Sequence, residues 1–154
     1  MKKLLYLLLL LPLGFLTSCH DDDDNVNVNL LVAFNNVAVT DEGALYAVQD
    51  TPITIEGVTC QGIGSTAVVT DVTYYWDNLV LFVPPFAPYG GTFDTAVQTP
   101  GKHLFGVNAQ IAQEGKALGF AAIGKAINIV ATAEELPEGL ELGQHTITFY
   151  GDTK

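Results

Sequence analysis

The chain has 154 residues, a length that suggests one domain, with six lysines, no arginine and seventeen carboxylates for a formal net charge of −11. That balance argues against nucleic-acid binding, which rests on Lys and Arg neutralising phosphates. It argues equally against bidentate clamping of phosphate or carboxylate, which is arginine's chemistry, and against adhesion of the folded body to anionic lipid headgroups.

The first element in chain order is a processing segment, residues 1–18. Lys2 and Lys3 precede an apolar run from Leu4 to Leu16, "LLYLLLLLPLGFL", interrupted by Pro12 and Gly14. The run falls short of the ~20 apolar residues a membrane-spanning helix needs and fits the apolar centre of a secretory signal, so it takes no part in the fold. An ordinary cleavage site wants small residues at −3 and −1. Here Leu16-Thr17-Ser18-Cys19 resembles a bacterial lipobox instead. The resemblance implies that Cys19 becomes the first mature residue, with diacylglycerol on its sulfur and, as a rule, an acyl chain on its new amine. Each buried lipid CH₂ contributes about 0.8 kcal/mol, so two or more chains anchor stably where one does not. Without residues 1–18 the chain keeps four lysines against all seventeen acids, a net charge of −13. The membrane is therefore a partner through lipid, not through charge.

Asp21, Asp22, Asp23 and Asp24 follow the cysteine, and Asn25, Asn27 and Asn29 continue the polar character. A block of like charges repels itself and stays solvated, so residues 19–29 read as a flexible tether. "SCHDDDD" is similar to the start of surface lipoproteins of the Bacteroidetes. In that group acidic residues just after the lipidated cysteine act as an export signal. The resemblance implies an outer-membrane protein displayed at the cell surface, with a plain spacer as the alternative role for the aspartates.

From Leu30 onward short apolar or alternating runs are separated by Gly, Pro, Asp and Asn, which is a strand pattern. Strands are expected near 28–39, with Asn35-Asn36 as a bulge or kink, then over 43–49 and 52–60, parted by the turn residues Asp50-Thr51-Pro52. Over 67–77 Val72, Tyr74 and Trp76 alternate with Thr73, Tyr75 and Asp77, which marks a half-buried strand with Tyr74 and Trp76 in the core and Tyr75 on the other face. A continuous apolar run, 78–83, ends at Pro84-Pro85. The Pro/Gly-rich, aromatic segment 84–101 reads as a loop with one short edge strand. Runs over 102–113 and 116–132 meet at Glu114-Gly115, a hairpin signal. A helix over the alanine-rich stretch 112–136 is disfavoured, because Gly115, Gly119 and Gly124 each cost roughly 1 kcal/mol relative to Ala in a helix and "INIV" is β-branched. An acidic linker (134–143) leads to a last strand, 144–151.

Roughly eight short strands with turn signals between them indicate an all-β protein, with residues 30–154 as one β-sandwich. "TPGKHLFGVNAQI" resembles the start of the penultimate strand of bacterial immunoglobulin-like (Ig-like) modules. The resemblance implies an Ig-like antiparallel sandwich of about seven to nine strands with Trp76 on a central strand. In such modules an aromatic corner residue, usually tyrosine, sits two after the glycine; His103 occupies that position here.

No catalytic constellation stands out. Once residues 1–18 are removed Ser65 is the one serine, and it lies in "GIGSTA" with no nucleophile-elbow pattern around it. That stretch matches a dinucleotide fingerprint on paper, but a strand-like run follows it where a helix is needed. The three histidines lack zinc-ligand spacing, and Asp71, Asp77, Asn78 and Asp94 form no EF-hand loop. Cys60 reads as a small core residue. No catalytic residue, metal or cofactor is assigned. The binding signal is aromatic: Tyr75, Phe86 and Tyr89 are the surface candidates, since exposed rings stack on sugars and anchor proteins. Tyr89 precedes Gly90-Gly91, which allows an exposed loop tip, with a purely structural packing role as the slightly favoured alternative. The function expected is a non-enzymatic binding or assembly module of the cell envelope, with a glycan or a protein as partner and glycan capture as its accessory role. An adhesin or scaffold pairing through strand edges is the first alternative, and a small hydrolase the second.

Overall fold

A computed structural model of the chain describes the backbone of residues 28–61, 67–113, 116–122 and 124–153, and the side chains of all of these except 28, 116–122 and 151–153. Cys19, Asp21, Asp22, Asp23, Asp24, Ser65 and the Glu114-Gly115 junction lie outside the described residues. The strands are β1 (Val28–Val39), β2 (Leu45–Val48), β3 (Ile53–Gln61), β4 (Val68–Trp76), β5 (Leu79–Phe82), β6 (Gly91–Phe93), β7 (Gly101–Gln113), β8 (Lys116–Ala122), β9 (Lys125–Val130) and β10 (Gly143–Thr153). A single 3-10 turn, Ala133–Glu135, lies in the acidic linker. The protein is all-β, and the run weighed as a helix is strand on both sides of Gly124.

β7 pairs with β8 through Asn108↔Ala121 and with β9 through Phe105↔Lys125, two ladders offset by one residue. Between these ladders the chain of β8 and β9 has one residue more than β7, and with the two counted together the sheet has nine strands among the described residues. A methyl group at Gly124 would come within 2.8 Å of both Leu104 and the Phe105 carbonyl oxygen, so only glycine fits where this bulge crosses β7.

The ladder nearly closes: β10 and β2 both pair with β1, β10 pairs also with β8 and β2 with β9, and β7 pairs with both β8 and β9. Of these β2–β9 is parallel and the others antiparallel, a departure from the wholly antiparallel expectation. Two hairpin-like flaps extend from the ring. β3 lies along β1 and carries β6, and β4 lies along β7 and carries β5. Among the described residues β5 pairs with β4 alone and β6 with β3 alone. The result is an antiparallel-rich, nearly closed sheet.

The core is built from the inward faces of the ring strands and of the flaps alike. Alternation on β4 sends Val72, Tyr74 and Trp76 inward, and on β7 it sends Phe105, Val107, Ala109 and Ile111. Phe34 of β1 meets Phe105 edge-to-face at 5.2 Å between centroids, with Phe149 of β10 at 5.9 Å from Phe105. Burying each such ring contributes ~1.5–3 kcal/mol. Asn36 has φ +63° where the β1–β10 register shifts, so the Asn pair forms the expected kink; asparagine tolerates that backbone region better than most residues. Val28 and Asn29 already pair with β10 and β3, so the body begins two residues before the expected boundary at 30.

β1 begins at one end of the body. Leu30 pairs with Cys60, and the Cys60 thiol donates to the Ala67 carbonyl at 3.2 Å, so the starts of β1 and β4 lie together. From there β4 runs nine residues, about 26 Å at strand rise, to a hairpin at the opposite end.

Candidate functional site

The hairpin joining β4 to β5 has a two-residue loop, Asp77-Asn78, flanked by the pair Trp76↔Leu79. Both loop residues have positive φ, +48° and +67°, the type I′ pattern whose twist matches that of paired strands. Asp and Asn tolerate this region because their short polar side chains bond locally. Asp77 does so twice. Its Oδ1 accepts the Leu104 N–H at 2.8 Å, and its Oδ2 lies 2.7 Å from His103 Nδ1. The Asp77 N–H in turn donates to the Leu104 carbonyl at 2.8 Å. The hairpin tip is thereby fastened to β7.

His103 completes the brace. Its Nε2 lies 2.8 Å from the Thr99 carbonyl oxygen and its ring stacks on Trp76 at 5.0 Å. Both ring nitrogens thus face acceptors, which only the doubly protonated imidazolium satisfies together. Burial opposes that charge, but the hydrogen bonds to Asp77 and Thr99 and the Asp77 charge outweigh it and raise the His103 pKa. The hydrogen bond from His103, helped by the Leu104 N–H, holds the Asp77 carboxyl below the usual carboxylate range although burial pushes the other way. With both nitrogens engaged, His103 has no free position from which to take a proton. The bond to Thr99 ties the ring to a backbone carbonyl four residues upstream.

Beside this brace, on the outer face of β4 and β7, lies an open groove of about 250 Å³ lined by Tyr75, Asn78, Leu104, Gly106, Asn108 and Gly124. Alternation places it there: Tyr75 points outward between the inward Tyr74 and Trp76, and Leu104, Gly106 and Asn108 take the outward positions of β7. Tyr75 stands directly opposite Gly106, so its ring borders a position with no side chain. Asn108 donates from Nδ2 to the Tyr75 oxygen at 3.3 Å. The lining thus joins one aromatic ring, two primary amides, one leucine and two bare glycine backbones. The lining contains no Asp, Glu, Lys, Arg or His.

Of the three aromatics expected at the surface, the structure places Tyr75 alone in the groove. Phe86 is 74% exposed on the loop after β5 and is not part of the lining. Tyr89 is not at a loop tip: it is only 8% exposed and belongs to the core. The reason lies in the two glycines after it. A methyl at Gly90 would sit 2.7 Å from the Ile55 carbonyl oxygen, and one at Gly91 2.5 Å from the Phe82 ring. Their bare backbones let the chain press flat on the body and carry Tyr89 inward, where its carbonyl accepts the Tyr74 hydroxyl at 2.7 Å. Burial pushes the Tyr74 phenol pKa up, so that hydroxyl remains a donor.

The oxygen ligands considered for calcium are dispersed. Asp77 is engaged as described, and Asp94 Oδ1 accepts the Ala96 N–H at 2.9 Å. Among the described residues no three His, Cys, Asp or Glu side chains gather in a way that would hold a metal. Cys60 lies near the C-terminal end of β3, away from His103, and burial raises its thiol pKa, which keeps it out of the nucleophilic thiolate form. Sequence reasoning missed the Asp77–His103 pair and the amides Asn78 and Asn108 as groove residues. One signal was present: Asp-Asn between two apolar strands is the chemistry of a two-residue hairpin. The other partners are set by cross-strand register, which no local pattern reports.

No family model, curated protein sequence or solved structure matches the chain.

Proposed function

We propose that this is a non-enzymatic lipoprotein of the cell envelope, held by lipid on Cys19 and displayed at the outer surface of the outer membrane with the help of Asp21–Asp24. Its body would be an Ig-like module that serves as an accessory in glycan capture. The observation that carries the binding role is the Tyr75 groove, at the end of β4 some 26 Å from where the tether enters. A site so placed faces away from the anchored end of the chain. Trp76 in the core, the His103 bond to the Thr99 carbonyl and the alternation of β4 and β7 support the Ig-like assignment. His103, with both nitrogens engaged, supports a structural use of the histidine–carboxylate pair over a hydrolytic one.

The test has an anchoring arm and a binding arm. Cys19→Ala should release the protein from membranes and leave the leader attached. Alanines at 21–24 should lower surface exposure in a protease-shaving assay while membrane attachment persists. Cells carrying the Tyr75→Ala protein should retain less labelled polysaccharide than cells carrying the parent. Membrane fractionation unchanged by Cys19→Ala would overturn the anchor, and retention unchanged by Tyr75→Ala would overturn the binding role.

A second reading, assembly through strand edges, is favoured by β5. This edge strand exposes Leu79 and Val80 at 73% and 60%, and no charge interrupts the sequence from Asn78 to Phe93. Exposed apolar edges are templates for pairing with another chain.

A further inference from the structure

The geometry points to a ligand class for the Tyr75 groove: a neutral, hydroxyl-rich ring, that is, one sugar unit within an uncharged polysaccharide. The inference rests on the binding role proposed above and narrows it by chemistry.

Charge decides first. The six lining residues carry no cation to hold a carboxylate, sulfate or phosphate. The chain beyond residue 18 is net −13 with no arginine, so its field disfavours anions on approach. A cationic ligand would need a carboxylate at the floor. The nearest, Asp77, already accepts from the Leu104 N–H and faces the His103 ring.

The polar groups then select hydroxyls. A primary amide offers two N–H donors and a carbonyl acceptor side by side, which complements a hydroxyl that both donates and accepts. Asn78 and Asn108 supply two such groups at the groove. Asn108 uses one N–H on the Tyr75 oxygen, leaving a second N–H and a carbonyl for a ligand. Tyr75 provides the aromatic surface on which the C–H face of a sugar ring packs. Gly106 and Gly124 keep the floor bare beside it. About 250 Å³ is below the ~300–1,000 Å³ of pockets that engulf a small molecule. The groove therefore takes one ring at a time, and being open it accepts a unit inside a longer chain.

The test uses the detergent-extracted, lipidated protein in affinity electrophoresis against soluble polymers. Neutral glucans, mannans and galactans form one set; polyuronates and sulfated polysaccharides form the other. Tyr75→Ala should weaken binding of a neutral polymer ~10-fold, while Tyr75→Phe, which keeps the ring, should change it less than about 3-fold. Gly106→Ala tests the floor in a protein that still folds, because its methyl meets only Tyr75 Cβ at an ordinary 3.5 Å. It should weaken binding several-fold. Retardation by neutral polymers that is lost in Tyr75→Ala and Gly106→Ala supports the assignment. Retardation by acidic polymers, lost in the same variants, overturns the neutral class and leaves the binding role standing. Binding insensitive to both substitutions, or no binding to either set, overturns both.

Discussion

Asp77→Asn isolates the one charge on which the hairpin brace depends. Asparagine tolerates the positive φ of position 77 and keeps an oxygen for the Leu104 N–H, so the turn survives while the ion pair with His103 is lost. The pair is half wet: the Asp77 side chain is 47% exposed and that of His103 11%. Solvent screening therefore brings its contribution down from the ~1.5–3 kcal/mol of a well-buried charged hydrogen bond to about 1 kcal/mol. The two pKa shifts fix where on the pH scale this appears. Asp77 is lowered in the fold, so its part is present above the unfolded value near 3.8 and is lost as pH falls through the folded one. His103 is raised, so its part is complete below the unfolded value of 6.5 and is lost as pH rises through the folded one. The gap between parent and variant is thus widest between about pH 4 and 6.5. Above the folded His103 pKa it narrows, since a neutral imidazole has one N–H for two acceptors. With a urea slope of ~1.5 kcal/mol per M, the unfolding midpoints should differ by roughly 0.7 M at pH 5.5 and by less than half of that at pH 8.5. A ring-proton NMR titration should show the His103 pKa falling in the variant. A midpoint difference that is flat across this range, or a His103 titration that does not move, would refute the assignment of the pair as a charged brace.

Two further outcomes follow from the packing. Tyr74→Phe removes the hydroxyl that satisfies the Tyr89 carbonyl inside the core, and an unpaired buried acceptor costs about 1–2 kcal/mol. Calorimetry should show Tm lower by about 5 °C; an unchanged Tm would mean that water reaches that carbonyl. If the β5 edge is an assembly surface, native mass spectrometry at high protein concentration should find an oligomer that Val80→Lys abolishes, because a charge on an edge strand blocks pairing. A strict monomer before the substitution would remove that reading.

What the sequence made legible was what depends on alternation and on turn chemistry. The twofold period of Val72, Tyr74 and Trp76 separates core from surface on β4, and the separation holds for all three and for Tyr75. The Asn35-Asn36 kink and the Asp50 turn (φ +65°) are local backbone events of residues that tolerate positive φ. The break in the run 116–132 was not legible. Gly124 is required there by how close Leu104 and Phe105 approach, and those residues lie some twenty positions away in the chain. The inward placement of Tyr89 was only half legible, for the same kind of reason. A Tyr-Gly-Gly sequence reads as a tip when only local freedom is considered, yet those glycines serve close contact with Ile55 and Phe82. The groove was half visible: alternation gives the outward ring of Tyr75, whereas Gly106 opposite it and Asn108 beside it come from the β4–β7 register.

Stability and the proposed binding role meet at the same two-residue turn. Asp77 and Asn78 are adjacent; one fastens the hairpin to Leu104 and His103, and the other lines the groove. Leu104 serves on both sides, through its N–H in the brace and as part of the lining. A groove built from cross-strand neighbours holds its shape only if the strands keep their register, and hairpin ends are where register and pairing are lost first. The brace sits at that end of β4 and not at the end where β1 begins, where a thiol–carbonyl contact and backbone pairing hold the strands. Loosening Asp77 should accordingly blur the position of Asn78 before it unfolds the protein. The effect on ligand retention in Asp77→Asn should then exceed what ~1 kcal/mol of global stability would produce in a domain that remains almost wholly folded.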